Sequence, residues 1–197
     1  MSRIIFATGN ADKMKEIRMI LADTGMEILS MKEAGAEPAI AEDGTTFEEN
    51  ARVKAQTVAE LFPDDIVMAD DSGLEIDYLN GEPGVYSARY MGEDTSYEIK
   101  NRNLIERLSG VPKEKRTARF VCVIAAVVPG AGTKTVRGTM EGYIGEKSAG
   151  ENGFGYDPIF YVDEYGCSTA QLSPGEKNKI SHRGNALRAM REELRKI

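Results

Sequence analysis

Met68–Asp77 reads MADDSGLEID, with two adjacent acids, Asp70 and Asp71, between an apolar run and a Ser-Gly pair. Consecutive residues of an extended strand point to opposite faces, so the two carboxylates cannot both face solvent unless the strand ends between them. One of them is then aimed into a cleft at the strand's end. A hard cation such as Mg²⁺ takes a few carboxylate oxygens plus water and phosphate oxygens, and Glu42 supplies a further acid upstream. The competing reading is an aspartate that caps the Ser72-Gly73 turn.

Four other stretches carry residue types suited to a nucleotide. ATGNADK, Ala7–Lys13, sits where an apolar run gives way to a helical pattern. The N–H groups of a helix start, the close approach allowed by Gly9 and the charge of Lys13 together suit a phosphate. The alternative is an Asn cap beside a solvated lysine; neither a Walker A loop nor a dinucleotide fingerprint is present. Downstream, Asn50 and Lys54 are four apart and share a helix face beside its apolar stripe, near Glu42 and Glu48. Lys54 reads equally as a second phosphate ligand or as a lysine snorkelling past the core.

In ENGFGYDP, Glu151–Pro158, Gly153 and Gly155 flank Phe154 and leave its ring room to present a face to a planar base, or to pack as a turn residue. EKNKISHRG, Glu176–Gly184, holds the chain's single histidine. Ser181 is placed to cap the last helix, putting His182 and Arg183 in its first turn. An arginine there opposes the helix dipole, which points to an anionic or electron-rich partner; a surface histidine is the plain alternative. No GxSxG elbow accompanies the histidine, so a serine-nucleophile triad is not indicated.

The elements that must position these residues follow from the hydrophobic pattern. Apolar runs predict strands at Arg3–Ala7, Met26–Met31, Ile66–Asp70, Leu74–Leu79, Ala118–Val128, Lys134–Ile144 and Pro158–Val162, with a turn at Asp71-Ser72-Gly73. Helical periodicity predicts helices at Ala11–Ala22, from the Thr45–Glu48 box to Leu61, at Tyr97–Leu108 and at Ser181–Ile197. Ala34–Gly44 lacks periodicity and reads as a loop. Helices interleaved with strand-helix units and a long hairpin indicate an α/β fold with a mixed sheet.

With 197 residues, the chain is long enough to bury a core without disulfides or a structural metal. Cys122 and Cys167 stand 45 positions apart and read as unrelated thiols of a reducing compartment. The net charge of −7 argues against the broad basic face that nucleic-acid binding requires, though not against an anionic small molecule in a local pocket. The first apolar run is too short for a signal peptide or a membrane span, so a cytoplasmic protein without a membrane partner is expected.

TGNADK, FEENARVKA, ADDSGLEID, GVYSARY, NGFGYDPIF and EKNKISHR, in this order and spacing, closely resemble the inosine triphosphate pyrophosphatase family, from about Ile4 to Leu194. The resemblance implies one domain over residues 1–197, two-lobed, with an elongated mixed sheet and a central cleft, usually assembled as a homodimer. It implies Mg²⁺-dependent hydrolysis of non-canonical purine nucleoside triphosphates (ITP, dITP or XTP) to the monophosphate and pyrophosphate. Carried over by motif, Thr8, Gly9, Asn10, Ala11, Asp12 and Lys13, with Lys54, would hold the triphosphate. Glu42 and Asp71 would serve the metal, and Asp71, with Ser72 beside it, would accept the proton of the attacking water. Phe154 would stack on the base, while Gly155, Tyr156, Asp157, Lys177, His182 and Arg183 would complete the nucleotide site. The same acids and lysines would also serve a pyrophosphatase of another base preference, such as one for modified pyrimidine nucleotides. A nucleotide-sensing module without turnover is the remaining alternative.

Overall fold

Arg3–Phe6 forms β1 in a computed structural model that describes residues 3–197. The strand pairs in parallel with β2 (Glu27–Ser30) on one side and with β3 (Ile66–Ile76) on the other, matching Ile4 to Ile28 and to Ile66. The helix α1 (Ala11–Ile20) connects β1 to β2, and α2 (Phe47–Ala59) precedes β3. Then follow α3 (Tyr97–Arg107), the long β4 (Thr117–Val128) and β5 (Gly132–Ile144), and the short β6 (Phe160–Val162) and β7 (Cys167–Ser168). Two helices close the chain, α4 (Pro174–Ile180) and α5 (His182–Leu194). The sheet order is β2-β1-β3-β4-β5-β6-β7, with antiparallel β5-β6-β7 pairing beside the parallel strands, which is the expected mixed α/β arrangement.

The chain forms two compact units. One runs to Asp71 and takes in Cys122–Gly138 and His182–Ile197; the other comprises Ser72–Val121 and Thr139–Ser181. Each has its own apolar core. In the first unit Phe6, Ile17, Met68, Ile124, Leu187 and Met190 pack together, and in the second Leu74, Leu104, Phe120, Ile144, Ile159 and Phe160 do so. In the first unit, a Cβ at Gly138 would collide with His182 O and Ala186 N, so the missing side chain lets α5 lie directly on β5. In the second, the buried Arg116 guanidinium donates to Leu108 O, Ile144 O and Gly145 O, each at 2.7 Å, and ties the end of α3 to the end of β5.

Several elements differ from the sequence expectation: Asp77–Leu79 is a 3-10 helix rather than the end of a strand, β7 has no expected counterpart, and two further differences bear on the site. Asp71-Ser72-Gly73 is not a turn: β3 runs unbroken for eleven residues through it. Asp and Gly disfavour strands locally, but Met68, Ala69, Leu74 and Ile76 are buried and the aspartates have partners within the fold, so tertiary context outweighs local preference. At the C-terminus, EKNKIS is helical as α4, opened by a reciprocal Ser173–Glu176 capping box that the sequence reading passed over. Ser181 is the C-cap of α4, and α5 begins at His182.

Candidate active site

In the first unit, α1 opens on Asn10, whose Oδ1 accepts from Asp12 N at 2.9 Å and Lys13 N at 3.0 Å. Thr8 Oγ1 accepts from Asn10 N at 3.1 Å and fixes the approach to the cap. Gly9, Asn10, Ala11 and Asp12 are exposed, and a Cβ at Gly9 would meet nothing within 4 Å, so its smallness serves no internal contact. Lys13, one turn in, reaches back to Asp70 Oδ2 at 3.0 Å.

Asp70 is buried on β3, and the same oxygen receives Arg183 Nη2 at 3.2 Å; Arg183 Nη1 donates to Glu16 Oε2. With only 1% of its surface exposed, Arg183 at the start of α5 is an interior cation between two carboxylates. Burial alone would push the Asp70 carboxyl up, but Lys13, Arg183 and Lys54 outweigh it and hold the group well below the usual carboxylate range. His182 is also buried, not a surface residue.

Asp71, the next residue on β3, sits among different partners. Its Oδ1 lies 3.2 Å from Lys54 Nζ, which is 2.9 Å from Glu42 Oε2. Asn50 Nδ2 donates to Asp71 Oδ2 at 3.1 Å, and Asn50 Oδ1 accepts from Gly44 N at 2.9 Å. The asparagine amide is thereby fixed in one orientation by the loop before α2. A Cβ at Gly44 would come within 2.6 Å of Asn50 Oδ1, so this close approach requires glycine. Burial pushes the Asp71 carboxyl above its ordinary value, against the opposing pull of Lys54, Asn50 and Lys13. Lys54 is held above the ordinary lysine value: burial opposes its charge, and Asp71, Asp70 and Glu42 more than offset that.

In the second unit, Phe154–Asp157 folds as a tight turn with Gly153 and Gly155 at φ of 71° and 65°, a region open to glycine without strain. Asp157 organises it from within: Oδ2 accepts from Phe154 N at 2.9 Å and from Lys177 Nζ at 2.6 Å, and Oδ1 accepts from Thr169 Oγ1 at 2.7 Å. The Lys177 ammonium lies 5.0 Å from the centroid of the Phe154 ring, a cation–π contact. Tyr156 is buried, its hydroxyl donating to Ser87 O at 2.5 Å and its ring meeting Tyr97 edge-on at 5.1 Å. Ser72, the first residue of this unit, is half-buried on β3.

The first unit therefore collects Thr8–Lys13, Glu42, Lys54, Asp71, His182 and Arg183, and the second Ser72, Phe154–Asp157 and Lys177. The sequence reading missed Glu16, whose Arg183 contact spans 167 positions and leaves no local signal. Thr169 and Asn101, which support the Phe154 turn across the second unit, are equally silent in the sequence. Among the described residues no three His, Cys, Asp or Glu side chains form a group able to hold a metal alone. Glu42 and Asp71 nevertheless face one ammonium together, so two hard oxygen donors can address one cation. That set fits Mg²⁺, which commonly takes one or two carboxylates and draws its remaining ligands from phosphate and water.

A sequence profile described as the Ham1 family matches residues 4–193. A dITP/XTP pyrophosphatase of Bacillus licheniformis is 50% identical over 190 residues, covering 96% of both chains, and one of Caldanaerobacter subterraneus is 49% identical over 100% of this chain and 98% of its own. Among solved structures, the Ham1 protein of Staphylococcus aureus superposes with a TM-score of 0.87 at 42% identity over 98% of each chain. A nucleoside-triphosphatase / dITP/XTP pyrophosphatase of Mycobacterium abscessus gives 0.74 at 38% identity, covering 95% of this chain and 98% of its own. The family resemblance carried by the motif order is thus borne out.

Proposed function

The chain belongs to the Ham1 family, and we propose that it hydrolyses non-canonical purine nucleoside triphosphates, ITP, dITP or XTP, to the monophosphate and pyrophosphate. The names of its relatives support that substrate class. The observation that carries the reading is the Asp71 site: a carboxylate with raised proton affinity beside Lys54 and Glu42, oriented by Asn50.

The reaction starts with attack by water on the α-phosphorus. A P–O bond forms, the bond from that phosphorus to the bridging oxygen breaks, and pyrophosphate leaves. Asp71 takes the water's proton and passes it to solvent. The exposed start of α1 and its approach, Gly9, Asn10, Ala11 and Asp12, with the buried Thr8 before them and with Lys13 and Lys54, binds the triphosphate and offsets charge on the leaving group. Mg²⁺ held by Glu42 and Asp71 would neutralise phosphate charge and acidify a bound water. In the second unit Phe154 presents its ring to the base, and Ser72, Gly155, Tyr156, Asp157 and Lys177 shape and support that end; in the first unit His182 and Arg183 complete the set of nucleotide-site residues.

Base choice follows from donors and acceptors. Inosine and xanthine present an acceptor oxygen at position 6 where adenine presents an amino donor, so donors built for the oxygen are left unpaired by ATP. Each such buried mismatch costs about 1–3 kcal/mol. We further read the two units as lobes of one domain, 1–197, in a cytoplasmic homodimer; among the described residues no helix is long and apolar enough to cross a membrane. Light scattering of the purified protein tests the dimer.

The function is tested by Mg²⁺-dependent turnover of ITP, dITP, XTP, dUTP, GTP and ATP with products separated. Pyrophosphate released from the first three, with ATP slow, is the expected result, and the GTP rate reports whether the 2-amino group is also read. Stepwise orthophosphate release, a preference for dUTP, or binding without turnover would overturn it.

A further inference from the structure

The Phe154 turn carries two glycines at positive φ, so its backbone has many accessible conformations, and the stacking role given to Phe154 above needs one of them. Asp157 holds the turn's leading edge through Phe154 N at 2.9 Å. Its trailing edge is held from α3: Asn101, 4% exposed, donates Nδ2 to Gly155 O at 3.1 Å. The neighbouring residues brace the same place. Lys100 Nζ donates to Ala88 O at 2.6 Å and lies 4.7 Å from the centroid of the Tyr97 ring, which meets Tyr156 edge-on.

We infer that Asn101 is a positioning residue of the base platform, clamping the Gly155 carbonyl so that the turn presents Phe154 in one orientation before the nucleotide arrives. This rests on the reading of Phe154 as the stacking residue. The other half of the Asn101 amide separates positioning from stability. Its Oδ1 is buried with no hydrogen-bond partner among the described residues, a state that costs stability. A leucine, with the same number and branching of side-chain heavy atoms, would remove that orphaned acceptor along with the clamp, so a side chain serving stability alone has no need of the amide. The clamp acts by pre-organisation: a ring already in place spares the nucleotide the cost of ordering it.

The test uses the full chain with Asn101→Leu, and Asn101→Ser as a smaller variant that keeps a donor. Readouts are Tm, KM and kcat for ITP, and inhibition by inorganic tripolyphosphate, which has phosphates but no base. For Asn101→Leu, Tm is held or raised, KM for ITP rises about tenfold, kcat stays within about twofold and tripolyphosphate inhibition is unchanged. Asn101→Ser, with part of the donor function, falls between it and the parent. An unchanged KM in both folded variants overturns the inference, as does a parallel loss of tripolyphosphate inhibition. Phe154→Ala separates the two levels: if it leaves KM for ITP unchanged, the stacking reading itself fails; if it raises KM while the Asn101 variants do not, only the clamp fails.

Discussion

Asp70 and Asp71 are consecutive on β3 yet hold their protons in opposite senses: Asp70 lies below the ordinary carboxylate range, between Lys13 and Arg183, and Asp71 above it, beside Lys54. Strand alternation sends the two side chains into different surroundings, Asp70 between the Lys13 and Arg183 cations and Asp71 against Lys54 and the Asn50 amide. With Asp71 as the proposed base, its loss is expected to cut kcat by about 10² to 10⁴. In Asp71→Asn the remaining oxygen can still accept from Lys54, and the charge that burial disfavours is gone. The Tm of the metal-free variant at neutral pH is expected to be no lower than the parent's; near-normal kcat, or a variant that fails to fold, contradicts this assignment.

Asp70→Asn should behave in the reverse way. It removes the buried negative charge opposite Lys13 and Arg183, and breaking such an arrangement costs about 3–5 kcal/mol. The sign with pH follows from the lowered carboxyl: its stabilisation is complete above the ordinary carboxylate range and is lost as pH falls through its depressed folded value. The stability difference between parent and variant is expected to stay flat from about pH 8 to about pH 5 and to shrink toward about pH 3. Denaturant titrations across that range check it; a difference that grows in acid would reverse the assignment.

This pair also shows how far the sequence could be read. The Asn10 cap was visible because a cap acts on N–H groups two or three residues away, and for the same reason the start of α2 was legible to within one residue: the box is Thr46 with Glu49, not Thr45 with Glu48. Mixed α/β architecture followed from periodicity. The break at Asp71-Ser72-Gly73 was misread because Asp, Ser and Gly mark turns locally, while what carries β3 through them is Asn50 and Lys54, 21 and 17 positions upstream. For the same reason the interior placement of Arg183 was hidden: its carboxylate partners are 113 and 167 positions away. Caps and boxes leave a local signal, whereas Glu16, Asn101 and Thr169, which hold the candidate site's residues in place, are specified by tertiary contact alone.

The two cysteines should differ sharply in reactivity. Burial, with a further push from the Asp70 charge, raises the Cys122 thiol to about 12 despite Arg183 and Lys13, while Cys167 is only partly buried. A thiol with a raised pKa stays protonated and unreactive at neutral pH; at about pH 8 it presents on the order of 10³ fewer thiolates than an ordinary cysteine. Native protein treated with an aromatic disulfide at that pH is expected to release one thiol equivalent per chain, from Cys167, with Cys122 reacting only on unfolding in urea. Two fast equivalents from the native protein would contradict the buried setting of Cys122.

In the second unit, Asp157 combines two jobs that mutation can separate. It neutralises the buried Lys177 ammonium, and it accepts from Phe154 N at the base of the turn. Asp157→Ala removes the carboxylate opposite a buried cation and is expected to cost about 3–5 kcal/mol, while Lys177→Met in the same background removes that cation and returns much of the loss. The turn contact behaves differently, because the double variant still lacks an acceptor for Phe154 N. Stability is thus expected to recover in the double variant while KM for ITP stays raised, a split that thermal denaturation and steady-state kinetics on the three proteins would show. Recovery of both together would mean that Asp157 acts on the turn only through Lys177.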